Sequence, residues 1–142
     1  MSNSNHKFHI DLPKGWLDQS LFVYAGPQVN GVPFQFFMLI DRNAGDLSLE
    51  EFAGDRIDET VKQDPAMEVL KREQQTLPSG REVVEFVGRT VPAEGEMLYK
   101  RQVYMIIDEV GYTFTANFNK KALKTLGVQM MQIIDTLQPL DI

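Results

Sequence analysis

Between Met97 and Ile107 both parities of the chain are apolar: Met97, Tyr99, Val103, Met105 and Ile107 at odd positions, Leu98, Tyr104 and Ile106 at even ones. An extended chain points successive side chains to opposite faces, so this strand has no wet side. Phe34 to Ile40 repeats the pattern, with Phe34, Phe36, Met38 and Ile40 on one face and Phe37 and Leu39 on the other. In the segment before it, Leu21 and Val23 oppose Phe22 and Tyr24. A sheet made of such strands needs something over each face.

The rest of the chain supplies the neighbours. Phe8, Ile10 and Leu12 alternate with His9 and Asp11 and predict a first, half-buried strand, stopped by Pro13-Lys14-Gly15. Trp16 opens a second extended stretch, whose core Ser20 to Ala25 ends in Gly26-Pro27, and Val29-Asn30-Gly31 turns it into Phe34 to Ile40 as a hairpin. Ser48 and Glu51 have capping-box spacing, and Leu49, Phe52, Ala53, Ile57 and Val61 recur at helical intervals up to Pro65. Four further strands follow in short succession, Val69 to Gln75, Arg81 to Gly88, Met97 to Ile107 and Tyr112 to Asn119, the last pair joined at Asp108 to Gly111. Leu123, Leu126, Met130, Ile133, Ile134 and Leu137 stripe a terminal helix ended by Pro139.

The order β-β-β-α-β-β-β-β-α is an α+β fold, a single mostly antiparallel sheet of about seven strands with two main helices. At 142 residues it is one domain, 1–142. Seven strands make a sheet about 30 Å wide, whereas two helices cover about two thirds of one face. Two readings stay open: the helices divide, one per face, and bury both sides, or an apolar concavity is left for a dimer partner or a ligand.

Conventional chemistry is absent from the sequence. The net charge of −6 opposes binding to a phosphate backbone, so no nucleic-acid partner is expected. With no cysteine there is no thiolate nucleophile or thiolate metal site. His6 and His9, three apart in a strand, point to opposite faces and share no metal. The pairs Glu50-Glu51, Asp58-Glu59 and Glu94-Glu96 read as solvated carboxylates, and no glycine-rich phosphate loop or Gly-x-Ser-x-Gly nucleophile turn occurs. No catalytic residue, metal ligand or cofactor is expected. The polar stretch Met1 to Lys7 lacks the apolar core of a signal peptide, which predicts a cytoplasmic protein, and the longest apolar run, Val32 to Ile40, is too short to span a bilayer.

One polar residue stands out. Gln102 sits mid-strand with Leu98 and Ile106 on its face. Under an apolar cover its amide would cost about 1–3 kcal/mol if left unpaired, so it either has a partner or lies on a solvated face.

Three stretches together resemble the Eag-type chaperones of bacterial type VI secretion, within the Mog1/PsbP-like fold group: Phe8-x-Ile10-x-Leu12-Pro13-x-x-Trp16-x-Asp18-x-Ser20, Asp18 to Tyr24, and Leu98-x-x-Arg101-Gln102-Val103-Tyr104. The likeness runs in order and spacing over the whole chain. It implies a non-enzymatic cytoplasmic homodimer that shields the amino-terminal transmembrane segments of a PAAR/Rhs-type toxin in an apolar groove and helps load it on the secretion spike protein. The family's groove positions fall here on Leu21, Val23 and Leu98, with Gln102 as the glutamine that hydrogen-bonds cargo helices. The contacts it draws from the end of its first helix meet polar Thr60 and Asp64 in this chain.

The chemistry of such cargo suits the residues. A transmembrane segment in water exposes apolar surface worth about 25 cal/mol per Å² when covered. Its Ser, Thr and backbone groups give a glutamine something to pair with. Two alternatives from other classes are a Mog1-like module binding a folded partner through an acidic surface, and a small hydrophobic-ligand carrier or an enzyme with a closed pocket.

Overall fold

A computed structural model describes residues 10–16, 19–29, 32–42, 44–90, 95 and 97–139. Strands β1 (Ser20–Val29) and β2 (Val32–Asp41) lead into helix α1 (Leu49–Gln63); β3 (Glu68–Thr76), β4 (Glu82–Thr90), β5 (Leu98–Ile107) and β6 (Val110–Phe118) follow, then helix α2 (Lys120–Ile134). They form one six-stranded sheet in the order β1-β2-β6-β5-β4-β3, with antiparallel neighbours throughout. The α+β class and the single antiparallel sheet agree with the sequence reading.

The seventh strand does not. Ile10 to Leu12 carry no strand, and Ile10 and Leu12 are 64% and 43% exposed. Alternation makes a segment competent to pair, but a strand exists only where an edge receives it. Phe8, His6 and His9 lie outside the described residues. The Pro13 turn is present, with Trp16 N–H donating to the Pro13 carbonyl at 3.2 Å, and the strand proper begins at Ser20.

Helix α1 starts as its sequence dictates. Ser48 Oγ accepts from Glu51 N–H, and the Glu51 carboxylate accepts from Ser48 N–H, both at 3.1 Å. Asn119 caps α2 by accepting from Ala122 N–H at 2.7 Å. That helix ends at Ile134, before Pro139, with Asp135 as its C-cap.

The helices divide, one per face. On one side Phe52 and Ile57 of α1 are buried against Val84, Phe86 and Tyr104 of β4 and β5. On the other, Met130 and Ile134 of α2 close over Val83, Val103, Met105 and Phe114. The parities read from sequence hold: Phe34, Phe36 and Met38 join the α2 core, while Phe37 and Leu39 do not. Gly111 fits where it is because the Phe52 ring lies against its α-carbon, a space no β-carbon could share.

Division does not bury both faces completely. Helix α1 lies over β4 and β5, at one side of the sheet. On the same face the β1–β2–β6 half has no helix above it, and Leu21 and Val23 remain 60% and 50% exposed. Among the described residues no helix is long and apolar enough to cross a membrane.

Candidate functional site

Register builds the site. Val23 pairs with Phe37, Phe37 with Thr115 and Thr115 with Gln102, so these four form one row across β1, β2, β6 and β5. Leu21, Leu39, Thr113 and Tyr104 form the next row. Directly opposed residues in antiparallel strands face the same side of the sheet, so both rows share the α1 face. From β1 inward the surface runs from aliphatic and aromatic through threonine to glutamine and tyrosine.

The wall is α1. Arg56, Glu59 and Thr60 stand beside the second half of this floor and enclose with it an open groove of about 440 Å³. Arg56 is fixed there by an ion pair with Asp41 and by its guanidinium lying 4.1 Å from the centre of the Phe52 ring. Burial pulls the Arg56 pKa below its usual value.

Gln102 is the polar centre and is 8% exposed. Its Oε1 accepts the Tyr104 hydroxyl at 2.5 Å and the Thr60 hydroxyl at 3.3 Å, and its Nε2 donates to Thr115 Oγ1 at 3.4 Å. Thr60 also reaches the Arg56 carbonyl at 2.9 Å, and having one proton it divides it between two acceptors. Burial pushes the Tyr104 phenol well above its usual pKa, so it serves as a neutral donor. These bonds leave the second N–H of the Gln102 amide without a partner among the described residues, beside the open groove.

The structure brings Leu21 and Gln102 into one groove and sets Val23 in the Gln102 row at its outer end. Leu98 stands apart. It shares the face of Gln102 and is 46% exposed, but lies beyond Lys100, about 14 Å along β5 at strand rise, and does not line the groove. Phe37, Leu39, Thr113 and Thr115 complete the floor and were not singled out by sequence. Their parity and the hairpins β1–β2 and β5–β6 were visible, but the pairing of β2 with β6 that joins them was not.

A second apolar recess opens on the α2 face, lined by Tyr24, Phe36, Met38, Phe114, Ile133 and Leu137, about 240 Å³ in volume. Among the described residues no cluster of three or more His, Asp or Glu is placed to hold a metal ion. What the α1-side groove offers is apolar contact along one flank and hydrogen bonds along the other.

Comparison with known proteins gives a family and a fold. A family model described as DcrB matches residues 8–136. The chain also superposes on the crystal structure of a Pseudomonas aeruginosa protein of unknown function, with a TM-score of 0.70 over 96% of each chain at 21% identity, a likeness of fold. No curated protein matches it.

Proposed function

The chain belongs to the DcrB family, and we propose that it is a non-enzymatic chaperone and adaptor whose groove receives apolar helical segments of another protein. In this reading the cargo is the amino-terminal transmembrane region of a PAAR/Rhs-type toxin of type VI secretion. The segment is shielded in the cytoplasm before export and delivered with the toxin to the secretion spike. The observation that carries it is the groove, where exposed Leu21 and half-buried Phe37 and Leu39 lie beside Thr113, Thr115 and the spare N–H of Gln102.

An apolar helix gains about 25 cal/mol for each Å² it covers there, and its Ser, Thr or carbonyl oxygens meet donors instead of hydrocarbon. No bond is made or broken. The cargo class comes from the family resemblance in Phe8 to Tyr24 and Leu98 to Tyr104; the groove supports it by having the polarity such a helix requires.

The test is solubilisation of a synthetic two-helix transmembrane fragment without detergent. The full chain is expected to hold the fragment in solution, and Leu21→Asp to release it with an unchanged circular dichroism spectrum. Precipitation of the fragment with the wild-type chain, or undiminished capture by Leu21→Asp, contradicts the proposal.

The exposed carboxylates of α1, Glu50, Glu51, Asp55, Asp58 and Glu59, favour a second reading, a module that docks a folded basic partner. Salt separates the two, because charge-steered binding weakens across the physiological range and groove burial does not.

A further inference from the structure

Helix α1 has two flanks. One walls the groove, and the other faces β3 across a separate cleft of about 260 Å³. Ala53, Ile57 and Val84 form the apolar floor of that cleft. Glu50 and Gly54 line its helix side, and Arg72 and Gln74 its strand side.

β3 is an edge of the sheet, and among the described residues no strand lies beyond it. All but Lys71 and Gln75 of its residues are exposed, whereas β4 beside it is buried from Val83 to Gly88. Its register against β4 is unbroken from Lys71 to Thr76. Along that stretch alternate residues turn their N–H and C=O groups away from β4. A row of backbone donors and acceptors at strand spacing is matched by another extended chain.

We propose that this edge and the cleft beside it bind an extended, basic peptide segment of a partner chain, which adds one strand beside β3 and sets alternate side chains into the cleft. The site lies across α1 from the groove and does not depend on what the groove holds.

Gly54 is a residue that the fold does not require. It stands inside α1, where glycine weakens a helix. A β-carbon there would meet nothing closer than Arg72 Nη2, at 3.6 Å, an ordinary contact. Packing therefore does not exclude a side chain, and the glycine keeps the cleft open.

Charge selects the occupant. The cations of β3 are engaged with their own neighbours: Arg72 with Asp58 at 3.1 Å, and Lys71 with Glu85 at 2.9 Å and Glu73 at 3.3 Å. Glu50, exposed at the cleft, makes no ion pair among the described residues. An incoming cation finds a carboxylate there. Charged side chains on an edge turn most strands away, but they admit one of matching charge. A second β3 does not match, because pairing about Lys71, Arg72 or Glu73 sets that charge against its own kind.

The probe is a fluorescent octapeptide alternating lysine and valine, titrated with the full chain and followed by anisotropy. The wild-type chain is expected to bind it, and to bind neither the same peptide with glutamate for lysine nor one N-methylated at every residue. Gly54→Leu, which fills the cleft from the helix side, is expected to keep its circular dichroism spectrum and to bind the peptide about tenfold more weakly or worse. Glu50→Lys, at an exposed position, is the second variant and is expected to weaken binding in the same direction.

No binding by the wild-type chain, equal binding of the glutamate or N-methylated peptide, or undiminished binding by both variants overturns the inference. Displacement of the peptide by the transmembrane fragment also overturns it, since the peptide would then lie in the groove. Capture of that fragment by Gly54→Leu is expected to match wild type, and its failure in both proteins refutes the cargo reading alone.

Discussion

Tyr104 donates its hydroxyl to the side-chain oxygen of Gln102 at 2.5 Å, two residues back along β5 and on the same face. The residue best placed to bond the proposed cargo is therefore also held by its own strand. Gln102 is oriented before any ligand arrives, with its oxygen satisfied inside the protein and an N–H left toward the groove.

Removal of this amide is expected to have a structural cost as well as to weaken the proposed binding. In Gln102→Ala the buried Tyr104 hydroxyl loses its acceptor, and the protein is expected to lose about 1–3 kcal/mol in urea unfolding. Tyr104→Phe removes the donor while Thr60 still serves Gln102, so a smaller loss, about 1 kcal/mol, is expected. A double-mutant cycle with no coupling between the two positions would show that the bond contributes nothing. Leu21→Asp, at an exposed site, is the cleaner probe of binding.

Glu85 of β4, 2% exposed, lies 2.9 Å from both Lys71 Nζ and Arg101 Nε and accepts from Gln75 at 2.6 Å. Arg101 in turn donates to the Gly127 carbonyl of α2 at 2.9 Å, so the network ties three strands to a helix. Glu85→Ala takes the carboxylate from the part-buried Arg101 guanidinium, which keeps only its bond to Gly127, and is expected to cost up to about 3 kcal/mol. Thermal unfolding within a degree of wild type would count against that role.

The β5–β6 turn puts two residues with side chains in left-handed backbone, Asp108 at φ 49° and Glu109 at φ 68°. Two-residue hairpins of this hand favour glycine there. Glu109→Gly is expected to raise stability by up to about 1 kcal/mol, a few degrees in Tm, because the relieved strain exceeds the added chain entropy. A lower Tm would mean that the Glu109 side chain makes a contact that outweighs the strain.

The α1 cap makes a pH-dependent contribution. Bonds from the Ser48 backbone and side chain hold the Glu51 pKa below its ordinary value of 4.5. A lowered carboxylate pKa stabilises the fold fully above the unfolded value, and the stabilisation is lost as pH falls through the folded one. Ser48→Ala is expected to cost about 1 kcal/mol at neutral pH. Its deficit relative to wild type should shrink as pH falls below 4.5, which unfolding titrations at pH 7 and pH 3 can check. A deficit that grows on acidification would reverse the sign.

Local patterns were readable to the extent that their physics is local. The capping box at Ser48 and Glu51, the stripe of Phe52, Ala53 and Ile57, and the opposed faces of Phe36 and Phe37 follow from bonding and periodicity within a few residues. The segment around Ile10 shows where that stops, since its alternation describes a strand that nothing pairs with in the described structure. Gln102 could be marked as a polar residue in apolar company, yet Thr115, Thr60 and Tyr104 as its partners depend on which strand lies beside β5 and where α1 crosses it.

The amino-acid order was sufficient for the fold class and the two-faced strands, because side-chain period needs no knowledge of neighbours, and it left open whether two helices would cover both faces. Which half of which face stays open came from packing. Helix α1 settles over β4 and β5, where Phe52 and Ile57 meet Phe86 and Tyr104, and the chain returns β6 between β2 and β5. Leu21 and Gln102 thereby meet in one groove, a proximity created by strand order and register, which no local pattern encodes.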